Sequence, residues 1–259
     1  MTTRLAPAFV TLALSACADA QDPPSITGDP PPSVVVADGR EAGPELADPD
    51  RATWGASPAV QAAVGAARAH WSALDPGYEE EVRVLAVADG AFTRAGASEH
   101  AVLYLVALWP RCCPKVGVAV VEGGPDGRLA RHAAFEGPTH ALRAVPDLDG
   151  DGADELALFS AFGTGGSEER SVQLASVGPD GLRPWGWAAL YSGACGALRD
   201  GEEAFRVVAT PVAGGPPAFV AERHVRARCE GGAWAPDGVP EPLTLTPSEP
   251  SPYTALAVE

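Results

Sequence analysis

From about residue 82 the chain is a succession of short apolar runs, each closed by a turn signal, and this punctuation limits it to a fold built from short strands. Val82 to Val87 alternates along its length. Ala101 to Leu108 and Val116 to Val121 are apolar runs of strand length. Glu155 to Phe159, Ser171 to Val177, Phe205 to Ala209 and Phe219 to Val225 have the same character. Three turns repeat one sequence: Pro125-Asp126-Gly127, Pro179-Asp180-Gly181 and Pro236-Asp237-Gly238. Their spacings of 54 and 57 residues point to a degenerate repeat. The segment from Val87-Ala88-Asp89 to Glu99 aligns loosely with that from Val145-Pro146-Asp147 to Glu155.

One helix precedes the strands. Ser57-Pro58 supplies an N-cap and a proline at the first helical position. Val60, Val64, Ala67, Trp71 and Leu74 follow at spacings of four and three, which is one apolar stripe. Asp75-Pro76-Gly77 ends it, so the helix spans 57–75. His70 lies beside the stripe and reads as a surface residue. The expected fold is therefore mainly β: an antiparallel meander, either degenerate and propeller-like or a sandwich, with one N-terminal helix. Three repeats are too few for a usual propeller. Residues 51–259 form one domain on this reading.

The stretch from Asp147 to Glu155, Asp-Leu-Asp-Gly-Asp-Gly-Ala-Asp-Glu, sets five carboxylates within nine residues. Such a loop repels itself unless water or a cation screens it. Alternate residues supply side chains, and two glycines let the backbone curl about a small centre, as a loop around calcium does. With Leu156 added, it resembles the calcium loop of integrin-type FG-GAP repeats and the related VCBS repeats. The resemblance implies that Asp147, Asp149 and Asp151 give side-chain oxygens, Ala153 gives its carbonyl, and Glu155 closes the shell. It implies a structural calcium between two strands, with Asp154 pointing outward. Glu155 stands where aspartate is commoner in the family, and only one good copy is present. An EF-hand would need an acid at the twelfth position, which is Leu158.

The N-terminus carries one charge, Arg4, then an apolar core from Leu5 to Leu14, as a secretion signal does. Leu14-Ser15-Ala16-Cys17 resembles the bacterial lipobox. That resemblance implies cleavage after a 1–16 signal peptide, lipidation of Cys17 and a membrane held through the lipid. Ala18, not aspartate, follows the cysteine, which implies the outer membrane in preference to the inner. Residues 17–50 hold seven prolines, eight acids and no aromatic residue, and read as a disordered tether. Four further cysteines, Cys112, Cys113, Cys195 and Cys229, suggest disulfides in an exported chain. Cys195 with Cys229 is the preferred pair.

The formal charge is −16, so the surface repels phosphate backbones and nucleic acid is not an expected partner. The single lysine, Lys115, follows Pro114 and not a glycine-rich turn, which removes a phosphate loop. Gly163 to Ser167 reads as a hairpin tip. Trp185 and Trp187 alternate and so face one side of a strand, as a carbohydrate-stacking platform or as packing. Glu202 with Glu203 is a carboxylate pair of the kind glycosidases use, if the two face each other. The expected function is a binding or scaffold module for a protein or carbohydrate ligand. The alternative is a cell-envelope hydrolase acting on polysaccharide.

Overall fold

A computed structural model describes residues 32–41, 57–74, 81–107, 114–164, 167–194, 201–212, 215–226 and 232–247. All belong to a compact unit spanning 31–259. The one helix, α1, runs Pro58–Leu74, and Ser57 caps it: its Oγ accepts the Val60 N–H at 3.1 Å. The buried face carries Ala59, Val60, Ala63, Ala67 and Trp71, while Leu74 is exposed. His70 is also on that face and is 7% exposed, so it is a buried residue and not a surface one.

Two four-strand units follow. The first is β2 (Arg83–Gly90), β3 (Glu99–Ala107), β4 (Lys115–Glu122) and β5 (Leu129–Glu136), an antiparallel sheet in chain order. The second is β6 (Thr139–Val145), β7 (Glu155–Thr164), β8 (Ser167–Gly178) and β9 (Gly181–Ala194), paired the same way. The Pro-Asp-Gly turns at 125–127 and 179–181 join the third and fourth strands of these units. A third set comprises β10 (Glu202–Val212), β11 (Gly215–Arg226), β12 (Ala235–Pro236) and β13 (Glu241–Leu243). It is degenerate: β12 and β13 both pair with β11, and β10 joins β9, so the second and third sets together supply eight strands of a nine-stranded sheet, whose ninth comes from earlier in the chain.

The layers stack face to face. Val102, Ala119 and Val121 pack under α1, while Ala101, Leu103, Val118 and Val120 of the same strands meet Leu142, Leu156 and Leu158 of the second unit. β3 is covered on both faces, which explains its unbroken apolar sequence. The other face of β6–β9, with Ala157, Phe159, Val172 and Leu174, shares a core with Val207 and Ala209 of β10. This is a mainly β fold with antiparallel sheets and one helix, as expected.

The reading of residues 17–50 as a tether fails at Val34–Asp38. These residues form β1, which pairs with β10 from Val34↔Ala209 to Asp38↔Arg206. β10 holds β9 only at Glu202–Ala204, and β1 takes over the rest of that edge. Val36 is fully buried in the core shared with Leu190 and Val207. A Cβ on Gly39 would lie 1.7 Å from the Leu190 carbonyl oxygen, so the chain passes β9 there only as glycine. The β-branched run Val34-Val35-Val36 was the signal in the sequence; the surrounding prolines and acids masked it.

Candidate metal centre

The acidic loop joins β6 to β7. It is anchored at two points in the core, because Leu148 and Leu156 are both fully buried. Between them Gly150 and Gly152 adopt φ of 81° and 86°, the left-handed conformation that lets the backbone turn inward twice. Each aspartate locks the next step of the curl. Asp147 accepts the N–H groups of Gly150 at 2.7 Å and Gly152 at 2.9 Å. Asp149 accepts that of Asp151 at 3.2 Å, and Asp151 that of Ala153 at 2.7 Å.

This folding brings four of the five expected ligands together. One oxygen from each of Asp147, Asp149, Asp151 and Glu155 lies within 4.8 Å of all the others. Ala153, expected to offer its carbonyl, is buried beside them. Glu155 is 1% exposed. Its Oε2 accepts the Leu148 N–H at 2.8 Å, whereas its Oε1 has no hydrogen-bond partner among the described residues. Burial pushes its carboxyl up to about 8; the Leu148 bond opposes this, and the charges of Asp149, Asp147 and Asp151 add to it. A buried, unpartnered carboxylate oxygen beside three aspartates is what a cation would resolve. All the donors are hard oxygens, which suits calcium, magnesium or manganese and not a thiolate-seeking metal.

No family model, curated protein or solved structure matches this chain. The site is therefore judged on its own geometry.

Asp154 does not point outward, as the resemblance implied. Its Oδ2 accepts the Ala91 N–H at 2.8 Å, and its own N–H donates to the Ala91 carbonyl at 2.9 Å. It ties the acidic loop to the corresponding loop of the first unit. There, Glu99 opens β3 as Glu155 opens β7, and it too is buried, at 3% exposure. Both of its oxygens are satisfied by Thr93: the N–H at 2.8 Å and the hydroxyl. The loose alignment of Glu99 with Glu155 was the signal for this equivalence. Nothing in the sequence announced Thr93.

Trp185 and Trp187 do not form one platform. A bulge opposite Leu174 and Ala175 inserts Trp185 between Gly186 and Pro184, and reverses the alternation. Trp185 packs on the core and donates to Ser176 Oγ at 3.1 Å, beside a cleft of about 930 Å³ that Asp149 and Asp151 also line. Trp187, 42% exposed, lines a different groove of about 670 Å³ with Phe162, Tyr191 and Arg170. Glu202 and Glu203 are neighbours on β10 and so face opposite sides. Glu202 accepts from Tyr191 Oη at 2.6 Å and from Arg226, and Glu203 accepts from Arg223. Neither is a free partner for the other. Cys17, Cys112, Cys113, Cys195 and Cys229 lie outside the described residues.

A second buried polar group sits beneath α1. His70 and His132 rings are 5.3 Å apart, and His132 Nε2 meets Tyr104 Oη at 2.6 Å. Burial, and then the neighbouring His70, push His132 down to about 4. Sequence reading took His70 for a surface residue and passed over His132, because the group is assembled from three different elements.

Proposed function

We propose that the chain is an exported, lipid-anchored binding or scaffold module in which the loop from Asp147 to Glu155 holds one structural calcium. The observation that carries this is Glu155: its carboxyl is buried in one cluster with three aspartates, and one of its oxygens has no hydrogen-bond partner among the described residues. Asp147, Asp149, Asp151 and Glu155 would hold the ion, which would supply positive charge and no chemistry of bond making. Calcium is preferred to magnesium because it accepts irregular shells of several carboxylates, whereas magnesium demands near-ideal octahedral geometry and keeps its waters. The four carboxylates here offer oxygens within 4.8 Å of one another.

The anchor rests on Leu14-Ser15-Ala16-Cys17, and the outer membrane on Ala18. A Cys195–Cys229 disulfide is supported by the register. Gly193, Glu202 and Arg226 stand side by side on β9, β10 and β11, so the chains toward both cysteines leave the same end of the sheet. The ligand-binding role rests on the groove beside Trp187. The hydrolase alternative has lost its pair of carboxylates, since Glu202 and Glu203 are each engaged by arginine.

Calorimetry and melting with calcium, magnesium and chelator test the central claim. Calcium should raise the melting temperature, magnesium less so, and Asp149→Ala or Asp151→Ala should abolish the response. No heat at millimolar calcium and no effect of chelator would reduce the loop to an acidic turn. Cys17→Ser should release the protein from membranes.

A further inference from the structure

We propose that the acidic loop is a cation-dependent clamp between the two stacked layers, with Asp154 as the positioning residue that carries the state of the ion to the β2–β3 loop. This rests on the reading that the loop holds a divalent cation. Asp154 stands between two of the ligand positions, Asp151 and Glu155, and next to Glu155 in the chain. An ion that fixes those two fixes the backbone and the direction of the carboxylate between them.

What that carboxylate holds is in the other layer. Ala91 gives its N–H to Asp154 Oδ2 and receives the Asp154 N–H on its carbonyl, so one residue of the β2–β3 loop is gripped twice. The approach is close elsewhere too. A Cβ on Gly152 would lie 2.7 Å from the Ala95 Cβ, and one on Gly90 would lie 2.9 Å from Asp154 Oδ2. Next to Ala91, Phe92 is fully buried among Leu103, Leu142 and Leu156, in the core that joins the layers. Gripping Ala91 therefore seats Phe92.

Without the ion, the aspartates crowded with Glu155 within 4.8 Å repel one another, and the 151–155 backbone loses its fixed course. The Ala91 grip weakens with it. The Thr93–Glu99 bonds, which lie wholly within the first unit, do not depend on the ion. Coupling of this kind is reciprocal: whatever calcium adds to the Ala91 contact, that contact adds to calcium affinity.

Hydrogen exchange on the full-length protein, in calcium and in chelator, reads this directly. In the wild type, calcium should slow exchange at the Ala91 and Asp154 amides at least tenfold, together with the 148–153 amides. In Asp154→Ala, calcium should still bind and still protect 148–153, with affinity a few-fold weaker, while protection of Ala91 no longer responds. Asp154→Asn keeps an acceptor oxygen and loses the charge, so it should keep the calcium-dependent protection of Ala91. If wild-type Ala91 exchanges alike with and without calcium while 148–153 responds, the clamp is wrong and the ion site stands. If Asn fails as fully as Ala, charge and not the bond carries the effect, and the clamp is again overturned. If calorimetry shows no calcium binding to the wild type, the ion site itself falls.

Discussion

The β2–β3 and β6–β7 loops occupy the same place in successive four-strand units, and each ends in a buried glutamate at the start of a strand. They differ in who answers it. Glu99 is answered from within by the Thr93 N–H and hydroxyl, so its loop is closed by protein atoms alone. Glu155 is answered once, by the Leu148 N–H; its other oxygen has no hydrogen-bond partner among the described residues, and its carboxyl clusters with Asp147, Asp149 and Asp151. A buried carboxylate costs several kcal/mol unless it is paired. One unit meets that cost with a threonine, and the other has collected more negative charge around it. That difference makes the second loop a candidate cation site and leaves the first a plain turn.

The two units should then fail under different insults. Acid should attack the first layer. The folded pKa of His132, about 4, lies below its ordinary 6.5, so the unfolded chain takes the proton first. The stability it contributes is full above about pH 6.5 and is lost as pH falls toward 4, by about 3 kcal/mol. Urea unfolding at pH 4.5 and 7 measures the loss, which should shrink in His132→Gln; an unchanged loss would show that other groups carry it.

Chelation should attack the second unit. A hundredfold excess of calcium over Kd adds about 2.7 kcal/mol, and Asp151→Ala should erase that increment. Equal response of wild type and variant to chelator would break the contrast between the loops.

Thr93→Val removes the hydroxyl donor to a buried carboxylate. It should cost about 1–3 kcal/mol, the same with calcium as with chelator. A cost that calcium rescues would place an ion in the first loop as well.

The smallest effects are the most discriminating, because their signs differ. In chelator above pH 8, where the Glu155 carboxyl is ionised, Glu155→Gln relieves a crowded charge and should stabilise by about 1 kcal/mol, while Glu99→Gln loses one of two acceptors and should cost about 1 kcal/mol. Denaturation midpoints of the two variants, side by side, decide it.

Much of the wider fold was legible because short-range patterns set it. The helix was visible in a serine cap and a stripe at spacings of three and four. The runs at 101–108 and 116–121 announced strands. Less was legible where the pattern is mixed. β6, Thr139–Val145, contains His140 and Arg143, and β5 contains Arg131 and His132, so neither read as a strand. Both are held by pairing with neighbours, which local composition does not record.

The sequence by itself picked out the acidic cluster at 147, 149, 151 and 155, because alternation and two glycines are local properties of nine residues. It also determined the helix and the antiparallel character, through periodicity and turns. Only the tertiary structure decided that Glu155 is buried, that Asp154 turns to Ala91, and that Val34–Asp38 is a strand. The last two depend on partners 60 or more positions away in the chain, which meet only when the layers and strands come together. The bulge that parts Trp185 from Trp187 belongs to the same class. One extra residue opposite Leu174 and Ala175 moves a ring through the sheet, and only the pairing of β8 with β9 fixes where that residue falls.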